Sequence, residues 1–190
     1  MGSHIPIKYF LYLTGVSLPI GKGRIMRRPG GIGANGEANN RGRSRSDRIA
    51  ILSIGTRLHE ALISANDVEA MNPSIGVTVA DARFMKPLDH DLIRELVDEN
   101  SVLITIEEGS VGGFGDHVLH FLSNDGALDE GNLKYRSMVL PDELFEAGTQ
   151  QEQYDAAGLN NEHLTELIQQ LTTKQIKVPV PATELVEEQL

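Results

Sequence analysis

The stretch VLITIEEGSVGGFGDHVLHFL, residues 102–122, contains one complete unit of an α/β fold. Its first five residues form an apolar run of strand length, which ends at two glutamates and a glycine-rich segment. The helix predicted after the glycines has four apolar residues at helical spacing: Val118, Leu119, Phe121 and Leu122. A strand that leads through a turn into an amphipathic helix is typical of a parallel sheet covered by helices.

The same alternation extends to both sides of this unit. Further strands are predicted at residues 49–54, 77–82 and 135–140. Polar residues that can cap helices stand between them: Thr56, Asp89, the pair Thr149 and Glu152, and Asn160. Parallel neighbours need crossover helices, and right-handed crossovers place those helices outside the sheet. The predicted fold is therefore α/β, an open, mostly parallel five-stranded sheet with helices on both faces, which leaves room for one antiparallel edge strand.

Composition excludes several classes of function. The chain has 190 residues, 40% of them hydrophobic, which is enough for one α/β domain. Its formal net charge of -10 argues against a nucleic-acid partner, because such binding requires a basic surface. The absence of cysteine excludes thiol catalysis and thiolate metal sites. No membrane span is predicted, since the apolar run 5–20 is interrupted by Lys8, Gly15 and Pro19.

The domain organisation follows from shifts in composition. Residues 1–23 are assigned to an expression-vector remnant and a lead-in segment. Residues 24–47 are rich in Gly, Arg and Ser, which predicts a flexible insertion, and the GxGxxG match at 31–36 lacks the strand and helix that would give it meaning. Residues 48–172 form the predicted α/β domain, and residues 173–190 an extended tail.

The glycine-rich turn is the first candidate site, because ligands of open parallel sheets bind at the carboxyl ends of the strands. A phosphate cradle is disfavoured there, since residues 95–131 contain nine acids and no Lys or Arg. Adjacent glutamates on a strand point to opposite faces, which disfavours an acid–base pair. We expect one glutamate to accept N–H bonds from the turn or cap the next helix, and the other to face a neighbouring chain or domain. The candidate interface or structural turn comprises Glu107, Glu108, Gly112, Gly113, Phe114 and Gly115.

A metal site on the following helix is the second candidate. Asp116, His117 and His120 would still need a further ligand and a second shell of hydrogen bonds, and ordinary helix-surface or interface histidines are the favoured interpretation. Ser110 has no histidine beside it and no GxSxG motif around it. No residue is therefore assigned a catalytic, cofactor-binding or metal-binding role.

Five blocks in order carry a family resemblance: LPIGKG (18–23), VTVADARFMKPLD (77–89), VLITIEEGSVGGFGDHVLHFL (102–122), LPD (140–142) and AGTQQEQYDAAGL (147–159). Over residues 18–171 the chain resembles the C-terminal domain of 1-deoxy-D-xylulose-5-phosphate synthase, a family of the transketolase superfamily. Two departures accompany the resemblance: residues 27–47 are longer and more basic than the family's hairpin-like connection, and residues 5–17 do not resemble the preceding domain.

The resemblance implies a thiamine-diphosphate- and magnesium-dependent homodimer with three α/β domains. Such enzymes condense pyruvate with glyceraldehyde 3-phosphate, release carbon dioxide, and supply isoprenoid, thiamine and pyridoxal synthesis. The cofactor and Mg²⁺ lie between the two domains upstream, so this chain has no matching residues to carry over and is expected to be inactive alone. The expected partners are the remaining domains and a second copy. The expected compartment is the cytoplasm for a bacterial source and a plastid-type organelle for a eukaryotic one.

Two alternatives stay open at this point. The first is a free-standing small α/β enzyme with an acidic metal-binding pocket built from Asp81, Glu107, Glu108 and Asp142. The second is the C-terminal domain of a related two-subunit thiamine enzyme that docks an acyltransferase core. Metal titration would separate the first from the leading interpretation, and a pull-down with a lipoyl-type core would separate the second.

Overall fold

The computed structural model describes residues 18–32 and 43–172. One mixed sheet forms its centre, with the strand order β2-β1-β4-β3-β5-β6. The strands are β1 (Arg24–Arg28), β2 (Gly31–Ile32), β3 (Arg48–Ser53), β4 (Gly76–Asp81), β5 (Val102–Ser110) and β6 (Lys134–Leu140). Strands β4, β3, β5 and β6 run parallel, and β1 pairs antiparallel with β4. The predicted five-stranded, mostly parallel α/β sheet is confirmed, with the two-residue β2 added at one edge.

Helices cover both faces of the sheet, as predicted. They are α1 (Leu58–Met71), α2 (His90–Glu99), α3 (Phe114–Asn124), α4 (Gln150–Ala156) and α5 (Asn161–Thr172). Alternate side chains of the strands point to opposite faces. Ile49, Ile51 and Ile104 therefore pack with α1 and α5, whereas Ala50, Leu52 and Leu103 pack with α2 and α3. Within residues 18–32 and 43–172, no helix has the length and apolarity needed to cross a bilayer.

Capping residues define the beginnings of two helices in the way the sequence predicts. The Asp89 side chain accepts from the Leu92 amide at the start of α2. Thr149 and Glu152 form a reciprocal capping box at the start of α4. The prediction that Thr56 caps α1 is wrong, because α1 begins after Arg57 without a side-chain cap and the Thr56 hydroxyl is bonded to Glu108 instead.

The first part of the basic segment 24–47 belongs to the fold. The composition of residues 24–47 predicts a flexible insertion, and this is wrong for residues 24–32, which form a hairpin at the sheet edge. The reason is electrostatic: Arg27 is only 3% exposed, and its guanidinium pairs with Glu69 at 2.7 Å and donates to the Val77 carbonyl at 2.6 Å. Arg28 likewise bonds Glu95 and Glu99 on α2. The predictions for residues 1–17, 33–42 and 173–190 fall outside the described residues.

Candidate functional site

The four parallel strands place their carboxyl ends along one edge of the sheet, called here the carboxyl edge. The fold brings all six predicted residues of the glycine-rich segment to this edge. Residues 107–110 extend strand β5 instead of starting the turn, and the pairing of β5 with β6 shifts register between Ile106 and Ser110. The turn itself is therefore short. It runs from Val111 to Gly113, and α3 begins at the next residue, Phe114.

Glu107 is the glutamate that caps the next helix. Its side chain is buried, with 6% of the residue exposed, and Oε1 accepts from the Gly115 amide at 2.8 Å. That amide lies in the first turn of α3, where backbone N–H groups lack intrahelical partners and the helix dipole favours negative charge. Glu107 therefore occupies the position that a bound phosphate would need.

The neighbouring glycines leave room for this carboxylate. A Cβ atom added to Gly113 would lie 2.5 Å from Glu107 Oε2, and one added to Gly109 would lie equally close. At Gly115 an added Cβ would lie 2.8 Å from the Ser137 Cβ and 2.9 Å from the Thr105 hydroxyl. These are closer approaches than real Cβ atoms show, so a side chain at Gly109 or Gly113 would have to displace the Glu107 carboxylate, and one at Gly115 would have to displace Ser137 and Thr105. Glycine is thus favoured here by packing around Glu107 and against β5 and β6.

Two further candidate residues, Gly112 and Phe114, are favoured at their positions for different reasons. Gly112 has a φ of +92°, a left-handed conformation that glycine adopts without steric cost, and an added Cβ would meet no atom within 4 Å. Its amide donates to Asp116 Oδ2 on the first turn of α3. Phe114 is 1% exposed and belongs to the core between the sheet and helices α2 and α3.

Glu108 bonds residues of its own chain, and the expectation that the second glutamate faces a neighbouring chain or domain stays a prediction. Its Oε1 accepts from the hydroxyls of Thr56 and Tyr154, and the Arg57 Nε lies 3.7 Å away. The guanidinium of Arg57 also stacks over the Tyr154 ring at 3.7 Å. Partial burial opposes ionisation of Glu108, but the two hydroxyl donors and the Arg57 charge outweigh it, so the pKa of this carboxyl lies below its ordinary value.

Tyr135, the second residue of strand β6, holds the first turn of α3 against the sheet. Its hydroxyl lies 2.8 Å from the Thr105 hydroxyl and donates to the Gly115 carbonyl at 2.7 Å. Burial raises the pKa of Tyr135 to about 12. The sequence pattern predicts strand β6 but gives no sign of this hydroxyl's role, nor of the joint action of Arg57 and Tyr154. Only the fold brings those side chains to Glu108, because they lie far from it along the chain.

The acidic metal pocket is not supported by the geometry. Asp81 bonds the Arg24 guanidinium at 3.3 Å and the Arg83 amide at 3.1 Å, while Asp142 is exposed. Across the described ranges 18–32 and 43–172, no three His, Asp or Glu side chains are grouped closely enough to hold a metal ion. Asp116, His117 and His120 are therefore not grouped as metal ligands either, and His120 bonds Asn124 on its own helix.

The arrangement can therefore hold a turn and a helix in place, and its carboxylates are engaged in doing so. An open groove of about 600 Å³ lies between the loop after β6 and helix α4. Its lining comprises Glu143, Leu144, Phe145, Glu146, Ala147, Gly148, Glu152, Gln153 and Ala156. No pair of ionisable groups in this lining is placed as a nucleophile with its base.

Comparison with known proteins agrees with this architecture. Residues 36–164, more than half of the chain, match the family model described as the C-terminal domain of transketolase. A solved structure described as "Split gene transketolase, inactive beta4 tetramer" is similar with a TM-score of 0.63 and 21% identity, over 83% of this chain and 44% of the other. A transketolase from Campylobacter jejuni aligns with a TM-score of 0.47 and 14% identity, over 67% of this chain and 17% of the other. The chain thus spans less than half the length of either structure.

Proposed function

The chain belongs to the transketolase C-terminal domain family, and from this premise we propose that it is the non-catalytic third domain of a thiamine-diphosphate-dependent enzyme. We propose further that this enzyme is 1-deoxy-D-xylulose-5-phosphate synthase, which joins pyruvate to glyceraldehyde 3-phosphate with loss of carbon dioxide. The finer assignment rests on the five sequence blocks between residues 18 and 159.

One observation carries the non-catalytic role: the anion-binding position of the carboxyl edge is filled by the chain's own carboxylate. Glu107 accepts from the Gly115 amide and Asp116 accepts from the Gly112 amide, so two of the N–H groups nearest a bound diphosphate are already bonded to carboxylates, whose charge would repel it. The residues present do not fit thiamine diphosphate or its magnesium. In the described part of the edge, acidic side chains would repel the anionic diphosphate, and no three of them are grouped to hold a metal ion. We assign cofactor and Mg²⁺ binding to other parts of the enzyme.

The role left to this chain is to support association. In the proposed enzyme it packs beside the cofactor-binding portion and contributes to a homodimer. The similar split-gene transketolase is described as an inactive β4 tetramer. We take this as an analogy for a piece of a transketolase-type enzyme that is inactive until its complement is present. The compartment we propose is the cytoplasm in a bacterial source and a plastid-type organelle in a eukaryotic one.

Reconstitution tests this function. The chain is mixed with the cofactor-binding portion of the synthase from the same source, and 1-deoxy-D-xylulose 5-phosphate is measured with pyruvate, glyceraldehyde 3-phosphate, thiamine diphosphate and Mg²⁺ present. We expect no product from the chain alone and product from the mixture, together with a larger species in sedimentation. Product formed by the chain alone would refute the non-catalytic role, and a mixture with neither association nor product would refute the proposed partnership.

A further inference from the structure

We propose that the cofactor-binding portion of the enzyme docks on the groove between residues 141–149 and helix α4. The side chains that it presents to this groove are apolar and basic. This inference rests on the proposed function and adds the location and chemistry of the contact. The docking groove is defined by Glu143, Leu144, Phe145, Glu146, Gln153 and Ala156.

The frame of the groove is tied to the sheet at both ends. Strand β6 ends at Leu140, which pairs with Ser110 of β5, so the loop leaves the sheet beside the glycine turn. Helix α4 begins at the Thr149 capping box and is anchored by the Tyr154 hydroxyl on Glu108. A loop held in this way presents its side chains in a defined arrangement, which lowers the entropy lost on binding.

Exposed apolar side chains mark the groove as a contact surface. Leu144 is 101% exposed, so it contributes nothing to the packing of this domain. Val111, in the adjacent turn, is 67% exposed. A leucine fully in water beside a groove is an anchor for a partner, because its burial there removes apolar area that the folded domain leaves uncovered.

Charge identifies the chemistry of the partner. Residues 137–172 contain seven acids and no Lys or Arg. Glu152 is used in the capping box, whereas Glu143 and Glu146 are exposed at the groove. A second copy presenting the same face would be repelled by it, since like charges across an interface oppose association. The groove therefore fits a surface with Lys or Arg around an apolar pocket, which we place on the cofactor-binding portion.

Two substitutions separate the apolar and the charged contributions. Leu144→Ser removes the anchor, and Met71→Ser is its matched control, because Met71 is 64% exposed at the C-terminus of α1, at the opposite edge of the sheet. The double variant Glu143→Lys/Glu146→Lys reverses the charge. Affinity for the cofactor-binding portion is measured by titration calorimetry at low and at high salt, with circular dichroism confirming that each variant is folded.

We expect Leu144→Ser to weaken association by about tenfold or more and Met71→Ser by less than about twofold. The charge-reversed variant should bind more weakly, and its affinity should respond less to salt than that of the unsubstituted chain. Equal affinities for Leu144→Ser and Met71→Ser, with the unsubstituted chain still binding, would overturn the docking groove and leave the proposed function standing. No binding by the unsubstituted chain would overturn both. Self-association abolished by Leu144→Ser would assign the groove to a second copy and overturn the partner proposed here.

Discussion

Substitution of Gly113 by alanine should destabilise the domain by displacing the carboxylate of Glu107. The added Cβ would lie 2.5 Å from Oε2 and 2.8 Å from Oε1, and the backbone of Gly113 has a φ of -85°, outside the left-handed region that favours glycine. The carboxylate is the movable end of its side chain, so it gives way, and the bond to the Gly115 amide at 2.8 Å is lost.

The magnitude follows from what is lost. A missing helix cap costs about 1 kcal/mol. A carboxylate that stays buried without its donor adds roughly 1–3 kcal/mol. The expected fall in the free energy of unfolding is therefore about 2–4 kcal/mol, which corresponds to a fall in Tm of roughly 4–16 °C for a chain of this size. Gly113→Val should lower the Tm further, and by more than Glu108→Gln, because its branched side chain places more atoms against the same carboxylate.

A double-mutant cycle measured by urea unfolding tests the cause. In a Glu107→Ala background the carboxylate is gone, so Gly113→Ala should cost less than about 1 kcal/mol, giving a coupling of roughly 1–4 kcal/mol. Gly112→Ala is the matched control, since it has left-handed strain of about 1–2 kcal/mol but no atom within 4 Å of its added Cβ, and it should show no coupling to Glu107. The reasoning is refuted if Gly113→Ala costs the same in both backgrounds.

Three further predictions concern the buried polar groups. Arg27→Met should lower the free energy of unfolding by about 3–5 kcal/mol in urea titrations, because Glu69 would lose its buried partner; a loss below about 1 kcal/mol would contradict a structural role for Arg27. Burial opposes ionisation of Glu69, but the bonds that it accepts from Arg27 and the Val77 amide outweigh this effect and lower its pKa. The ionised Glu69 therefore contributes its full stabilisation above the unfolded glutamate pKa of about 4.3, and this contribution is lost as the pH falls through the folded-state pKa. Glu69→Gln should therefore flatten the stability profile below about pH 4.3, and an unchanged profile would count against it. Tyr135→Phe should cost about 1–3 kcal/mol and remove a tyrosine that ionises near pH 12 in ultraviolet titrations; the idea fails if all tyrosines of the unsubstituted chain ionise together near pH 10.

Local patterns predict most of this fold because the decisive signals are local. The apolar runs at 49–54 and 102–106 identify strands without reference to the rest of the chain, and Asp89 lies next to the helix it caps. The arginines of strand β1 are the counter-example. Composition predicts that Arg27 belongs to a solvated insertion, but Arg27 is buried because it pairs with Glu69. Glu69 lies on a different element, so spacing along the chain does not identify it as the partner.

In the candidate site, too, local sequence predicts some features and only the fold reveals others. Charge along the sequence is enough to disfavour a phosphate cradle, and the glycines adjoin Glu107 closely enough for a turn or cap to be expected. The contacts of Glu108 are different, because Thr56 and Tyr154 reach it from elements separated by 52 and 46 residues. The local sequence around that glutamate predicts an interface, which stays a prediction, but it gives no sign that helix α4 brings Tyr154 to Glu108.

The carboxyl edge can serve either ligands or architecture, and the two uses compete for the same atoms. A helix N-terminus binds an anion only while its amides are free, and here Glu107 and Asp116 bond those of Gly115 and Gly112. The carboxylate that excludes a phosphate is also the group that the surrounding glycines are shaped to accept. Removing Glu107 to free an amide would therefore leave a space lined by Gly109 and Gly113 and would supply no cation in place of the lost carboxylate. A single substitution at this edge therefore frees one amide without creating an anion site, because the acids around it remain.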